Sequence, residues 1–280
     1  MKATSTDNVA RNRAIFISDV HLGTKDCQAS QLNEFLKANH CQSLYIVGDF
    51  IDGWRMRKKV HWRKSYTRII RRILKLSKRG VNIYYITGNH DEFLRKFANN
   101  RFDNIHLINK KVHTTADDKK LLVMHGDQFD GVTRAHTVLK WIGDWGYDLL
   151  MFLNRHFNRL RARYGYGYWS FAGFLKSHIK RAQTYINDFE DAASHYAQKQ
   201  GFDGIICGHI HHASIKELND ISYYNTGDWV ESCTALIEDM NGKFSIMDWK
   251  NHKLPQVTHE QEELIVEEIA PISVSAGNWS

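Results

Sequence analysis

Residues 82–91 read NIYYITGNHD, an apolar run that passes directly into glycine, asparagine, histidine and aspartate. The apolar half has the length and the aromatic and β-branched content of a buried strand. Gly88 lets the backbone turn tightly where the strand ends, so that Asn89, His90 and Asp91 follow at once. We predict a strand that delivers polar side chains to one edge of a sheet.

The same arrangement recurs four more times, each time directly after an apolar strand candidate. The other motifs are DVH at 19–21, GD at 48–49, HGD at 125–127 and GHIH at 208–211. In D-x-H and H-x-H, alternate residues of an extended chain face one side, so both side chains can reach one metal ion. Each motif alone is a weak signal, because such pairs are common on solvated loops. Their joint occurrence at strand ends, which converge on one rim of an α/β sheet, predicts a single site.

The donor atoms of these motifs indicate which metals suit the site. Together they offer carboxylate oxygens, an amide oxygen and imidazole nitrogens. That mixture suits Mn²⁺, Fe²⁺ or Zn²⁺ better than a metal that prefers thiolates.

The ordered series DVH, GD, GNHD, HGD and GHIH resembles the motifs of the calcineurin-like metallophosphoesterase superfamily, over roughly residues 14–228. The resemblance implies an α/β fold in which a β-sandwich is flanked by helices, in four αββα layers. It implies two divalent metal ions as cofactors, manganese first, with iron and zinc as alternatives. Such ions activate water for attack on phosphorus and stabilise the charge that develops on its oxygens.

The resemblance also implies roles for individual residues. One metal would be held by Asp19, His21, Asp49 and His211. The second would be held by Asp49, Asn89, His125 and His209, so that Asp49 bridges the two. His90 would act beside the phosphate as general acid or charge stabiliser, and Asp52 would orient it, although Asp52 also suits the start of a helix. Gly53 and Trp54 follow Asp52 where protein phosphatases carry an arginine, which counts against that branch.

The segment GDFIDGW at 48–54 and the helical block after the HGD motif resemble the UDP-2,3-diacylglucosamine pyrophosphatase branch. That resemblance implies hydrolysis of UDP-2,3-diacylglucosamine, or a similar lipid-linked nucleotide sugar, to UMP and a lipid sugar phosphate. The chain departs from the branch at His90, where an arginine is expected. A soluble phosphomonoester, nucleotide or phosphodiester therefore stays open as substrate, and a non-catalytic scaffold ranks last because every ligand position is filled.

The periodicity of the chain predicts one domain over 13–250, with a helical cap inserted at about 132–199 and a peripheral tail at 251–280. The cap mixes aromatic residues with arginines, as a cover over an anionic lipid requires, although a plain core with a solvated face fits the same pattern. Lys176 and Lys180 are four residues apart and face one way. With Arg181 they are predicted to contact a phosphate or head group.

Composition sets the remaining expectations. The chain has 280 residues, a net charge of +7 and a pI of about 9.1, which favours anionic partners. Its four cysteines have no close spacing, which fits a reducing, cytoplasmic setting. No apolar run reaches the roughly 18–20 residues of a membrane span, so any contact with an anionic membrane is expected to be peripheral. A basic loop at 55–59 and a basic helix at 63–78 are predicted, and no nucleic-acid partner is expected.

Overall fold

The structure is a computed structural model that describes residues 11–131 and 180–251. Within these ranges the chain alternates strands with helices. The strands are β1 (Arg11–Ile17), β2 (His40–Val47), β3 (Asn82–Ile86), β4 (Asn100–Phe102), β5 (Ile105–Ile108), β6 (Lys110–Thr114), β7 (Lys120–Met124), β8 (Gly204–Cys207), β9 (Ser214–Leu218), β10 (Ile221–Asn225), β11 (Thr234–Glu238) and β12 (Phe244–Asp248). The helices are α1 (Ala29–Ala38), α2 (Gly53–Lys58), α3 (Lys64–Lys78) and α4 (Lys180–Lys199), with short 3-10 turns at Glu92–Phe97 and Asp127–Gly131.

The strands form two mixed sheets. The first has seven strands in the order β12-β11-β1-β2-β3-β5-β4, and the second has five in the order β6-β7-β8-β10-β9. Strands β1, β2, β3 and β5 run parallel to one another, as do β7, β8 and β10 in the second sheet. The parallel strands lie at the centre of each sheet, and antiparallel strands complete the edges.

Buried side chains divide these elements into the four predicted layers. Leu32 and Phe35 of α1 and Ile69 of α3 pack on the outer face of the first sheet. Phe16 and Val123 belong to a separate cluster in which side chains of the two sheets meet. The outer face of the second sheet is covered by α4, whose buried side chains are Ile186, Phe189, Ala193 and Ala197. The αββα prediction is therefore confirmed.

Helix α3 shows how the sequence specifies one of these layers. Its buried residues, Tyr66, Ile69, Ile73 and Leu76, recur at three- and four-residue steps and form a single apolar side. The helix ends before Gly80, which has φ +90°, as the glycine in the sequence predicts. Burying each of these side chains contributes about 1.5–3 kcal/mol, which fixes the helix on the sheet.

Most of the predicted insertion lies outside the described residues, as does nearly all of the predicted tail, so the domain boundaries stay a prediction. The final part of the insertion, α4, packs on the second sheet as a flanking helix. In the two described ranges, no helix combines the length and the apolar character needed to cross a bilayer. All four cysteines are free thiols.

Candidate metal centre

The two sheets bring all five motifs to one place. Asp19, Asp49 and Asn89 follow three adjacent parallel strands, β1, β2 and β3, while His125 and His209 follow two adjacent parallel strands, β7 and β8. The carboxyl ends of the central strands of both sheets therefore build the site together. The sequence predicted one rim of a single sheet, but the site is a cleft between the carboxyl ends of strands from two sheets.

Asp19, His21 and His211 form one cluster of possible metal ligands. One donor atom from each lies within 4.8 Å of the others. His211 Nε2 is 3.1 Å and His21 Nε2 is 3.8 Å from Asp19 Oδ1. Asp19 Oδ1 and His21 Nε2 are buried polar atoms without a hydrogen-bond partner, although such atoms nearly always have one. A cation between them would satisfy both, which fits the proposed first metal.

Asp49, His125 and His209 form a second cluster of the same size. His125 Nε2 lies 3.3 Å from Asp49 Oδ2 and 3.2 Å from the side-chain oxygen of Asn89. The other ring nitrogen, Nδ1, lies 2.9 Å from the backbone oxygen of Val47, which can only accept a hydrogen bond. His125 Nδ1 must therefore donate, which directs Nε2 at Asp49 and Asn89 as a metal ligand requires.

His90 stands between these clusters and solvent. His21, Asp49 and His90 also bring donor atoms within 4.8 Å of one another, with His90 Nε2 at 4.0 Å from Asp49 Oδ2. Asp52 Oδ2 lies 3.1 Å from Nδ1 of both His21 and His90, so one carboxylate contacts both rings. Its Oδ1 accepts a hydrogen bond from Arg55 N at 2.8 Å and caps α2. The two readings of Asp52, helix start and orienting group, are thus compatible.

The charges of the site are strongly coupled. Burial disfavours ionisation of Asp19, but His211 and His21 outweigh it and hold the pKa of Asp19 well below its ordinary value. Burial likewise opposes a charged His125, but the Asp49 carboxylate raises the pKa of His125 to about 10. The carboxylates thus draw positive charge into the cleft. A divalent cation bound there would supply that charge in place of protons, because imidazole binds metal in its neutral form.

The backbone at the ligands is unusual. Positive φ angles occur at Asp19 (50°), His21 (50°), Asp49 (51°), His209 (71°) and His211 (54°). Non-glycine residues adopt this left-handed region rarely, and it costs each of them about 1–2 kcal/mol. Five ligand positions in this conformation indicate that the surrounding fold holds the side chains in place against local preference.

Two glycines leave the space that the ligands occupy. A Cβ at Gly88 would lie 2.2 Å from Asp49 Oδ1, and one at Gly208 would lie 2.7 Å from Asp19 Oδ2. Neither distance is possible for a real side chain, so both positions need glycine for close approach.

Two carboxylates that support the ligands were not among the predicted site residues. Asp130 Oδ1 is 2.7 Å from His209 Nε2 and accepts a hydrogen bond from the Tyr185 hydroxyl at 3.0 Å. Asp91 is fully buried and accepts hydrogen bonds from the backbone of Phe50 and Gly88. The GNHD motif gave a signal for Asp91. For Asp130 the only signal was its place just after the HGD motif, because its partners lie 55 and 79 residues away.

The structure thus brings together all seven predicted metal ligands together with His90 and Asp52. It does not extend to the predicted substrate contacts. Lys176 and the side chains of Lys180 and Arg181 lie outside the described residues, and Lys180 and Arg181 are placed only in the first turn of α4.

Comparison with known proteins supports the same chemistry. The family model for calcineurin-like phosphoesterases matches residues 13–213. A UDP-2,3-diacylglucosamine hydrolase of Neisseria meningitidis serogroup B is 26% identical over 242 residues, covering 80% of this chain and 92% of the relative. One from Blochmanniella pennsylvanica is 31% identical over 116 residues, which are 40% of this chain and 46% of the relative. The solved phosphoesterase Yfce from E. coli aligns over 84% of this chain and 98% of its own, at 12% identity and TM-score 0.40. The chain therefore belongs to the calcineurin-like phosphoesterase family and is a metal-dependent phosphoester hydrolase.

Proposed function

We propose that this protein hydrolyses UDP-2,3-diacylglucosamine, or a closely similar lipid-linked nucleotide sugar, to UMP and a lipid sugar phosphate. The observation that carries the substrate is the likeness to the Neisseria meningitidis hydrolase, which covers four fifths of this chain and nearly all of the relative. The resident cofactor we propose is a pair of Mn²⁺ ions, held by the Asp19 and Asp49 clusters. When bound there, two cations supply Lewis-acid stabilisation to phosphate oxygens and activate water.

The chain's own side chains orient the reaction. His90 is partly exposed, so substrate can reach its ring, and Asp52 holds Nδ1 so that Nε2 faces the cleft. From that position Nε2 donates a hydrogen bond to a phosphate oxygen and stabilises the charge that grows there. Asp49, which lies between the two clusters, fixes the spacing of the ligand set.

The test is release of UMP from UDP-2,3-diacylglucosamine by the purified protein, with Mn²⁺ in mild detergent. UMP release that disappears in His125→Ala supports the proposal, because this variant removes one ligand of the second cluster. Retained release in that variant contradicts the assigned centre. Parallel loading with Fe²⁺ or Zn²⁺, followed by metal analysis, decides the identity of the cations.

One observation favours a second candidate. His90 occupies the position where the pyrophosphatase branch is expected to have arginine. An imidazole can transfer a proton to the leaving group of a simpler phosphate ester. The second candidate is hydrolysis of a soluble phosphomonoester, nucleotide or phosphodiester at the same centre. Turnover of bis-p-nitrophenyl phosphate without any UMP release from the lipid substrate selects it.

A further inference from the structure

The segment from α2 through α3 carries a charge imbalance that the metal centre does not use. Residues 54–79 contain twelve lysines and arginines and no aspartate or glutamate. The whole chain has 38 basic and 31 acidic residues, so nearly a third of its basic residues lie in this one acid-free segment. Charge of a single sign at such density attracts anionic partners.

Five of these cations form one stripe along α3. They follow one another at steps of four, three, four and three residues: Lys64, Arg68, Arg71, Lys75 and Lys78. That spacing keeps them on one face of the helix, opposite the buried apolar side. All five are exposed, and none makes an ion pair with any residue in the described ranges. The stripe spans about 21 Å of a rigid helix anchored on the first sheet.

Exposed apolar side chains accompany the stripe. Val60 is 66% exposed, Trp62 43% and Leu74 48%. Leu74 also borders a cleft of about 140 Å³ lined by apolar residues of α3, β2, β3 and β5. Toward the metal centre, Trp54 of α2 is 43% exposed and its ring centroid lies 4.4 Å from that of His90. We call residues 54–79 with these exposed groups the α2–α3 surface.

We propose that the α2–α3 surface docks the protein on an anionic lipid bilayer. Cations on a helix face with adjacent tryptophan and aliphatic side chains are suited to the head-group boundary, where charges meet phosphates and apolar groups enter the acyl region. Nucleic acid accounts for less of the surface, because bases could stack on Trp54 and Trp62 but find no ring at the exposed Val60 and Leu74. The docking surface rests on the proposed function for its purpose, since it places the cleft beside a lipid-linked substrate.

Co-sedimentation of the full chain with vesicles tests the surface without any substrate. Wild-type protein is expected to bind vesicles that contain phosphatidylcholine and phosphatidylglycerol, and not to bind vesicles of phosphatidylcholine alone. It is expected to dissociate as the salt concentration is raised. The variant Arg68→Gln/Arg71→Gln/Lys75→Gln is expected to partition roughly a hundredfold more weakly, at about fivefold per cation. Its matched control, Lys110→Gln/Lys199→Gln/Lys243→Gln, removes three exposed lysines elsewhere and is expected to bind like wild type.

Hydrolysis of bis-p-nitrophenyl phosphate should be equal in all three proteins, which shows that both triple variants fold. Equal loss of vesicle binding in the two triple variants would overturn the proposal, because net charge alone would then explain binding. Absence of wild-type binding, or tighter binding of the full chain to single-stranded RNA than to anionic vesicles, would overturn it as well. UMP release without vesicle binding contradicts only the proposed docking surface. Vesicle binding without UMP release contradicts only the proposed lipid-linked substrate.

Discussion

Asp52→Asn isolates the contribution of one buried carboxylate to the metal centre. Asp52 is 2% exposed, and its Oδ2 lies 3.1 Å from a ring nitrogen of both His21 and His90. Burial disfavours the charged form, yet hydrogen bonds to the two histidines lower the pKa of Asp52 far below its ordinary value, so it is an anion at all working pH values. Asparagine keeps the shape and removes the charge.

The magnitude follows from those two contacts. A hydrogen bond to a charged group contributes about 1.5–3 kcal/mol, against about 1 kcal/mol for a neutral one. Weakening each contact therefore costs about 1–1.5 kcal/mol, or roughly tenfold in the property that depends on it. For His21 that property is metal affinity, and for His90 it is kcat/KM. Folding changes little, because asparagine caps α2 as well as aspartate does.

Calorimetric titration of Mn²⁺ into the metal-stripped protein measures the first quantity, and hydrolysis of bis-p-nitrophenyl phosphate measures the second. Asp127→Asn is the matched control. It removes the same charge near the cleft, but Asp127 pairs with Arg95 at 2.6 Å and forms no hydrogen bond or ion pair with a histidine of the described ranges. If Asp52→Asn binds Mn²⁺ and turns over substrate as well as Asp127→Asn does, the two 3.1 Å contacts carry no functional weight and the reasoning is wrong.

Three further outcomes are expected. Asp130→Asn should lower the affinity for the cation beside His209 by roughly 10–100-fold, measured as bound metal after gel filtration, because the ring loses its anchoring carboxylate; unchanged occupancy would contradict this role. Gly88→Ala should lower kcat/KM by about a hundredfold or more, since its Cβ displaces the Asp49 carboxylate, whereas Gly131→Ala, with nothing within 4 Å, should be neutral. Burial raises the pKa of Cys27 to about 12, so its alkylation at pH 8 should be about a thousandfold slower in folded than in unfolded protein, and rapid labelling by mass spectrometry would refute it.

The central elements of the fold were predictable because burial on both faces leaves an apolar run. Strand β8 ends directly before the GHIH motif, as predicted, and β3 ends two residues before Gly88. The edge strands β4, β6 and β9 were missed, because they are short and largely exposed and their polar residues resemble loops. Helix α2 was also missed, since it has no buried residue to give it a period.

The site was predictable as a list of ligands but not as an arrangement. Motifs at strand ends identify residues such as Asp19 and His209, because the ligand must follow its strand directly. The division between two sheets was not visible, since it depends on which strands pair. Contacts such as Asp130 with His209 also escaped, because they join residues whose separation in the chain carries no regular spacing.

The left-handed backbone at five ligand positions affects which substitutions such a protein accumulates in evolution. Glycine at any one of them would relieve about 1 kcal/mol of backbone cost in the folded state, which its greater freedom in the unfolded chain partly offsets, while deleting a ligand. Keeping the ligands therefore costs the folded state some backbone stability. In a duplicated copy released from selection for hydrolysis, glycine is therefore the substitution at Asp19, His21 or His211 that the backbone accepts most readily, and each such change removes a metal ligand.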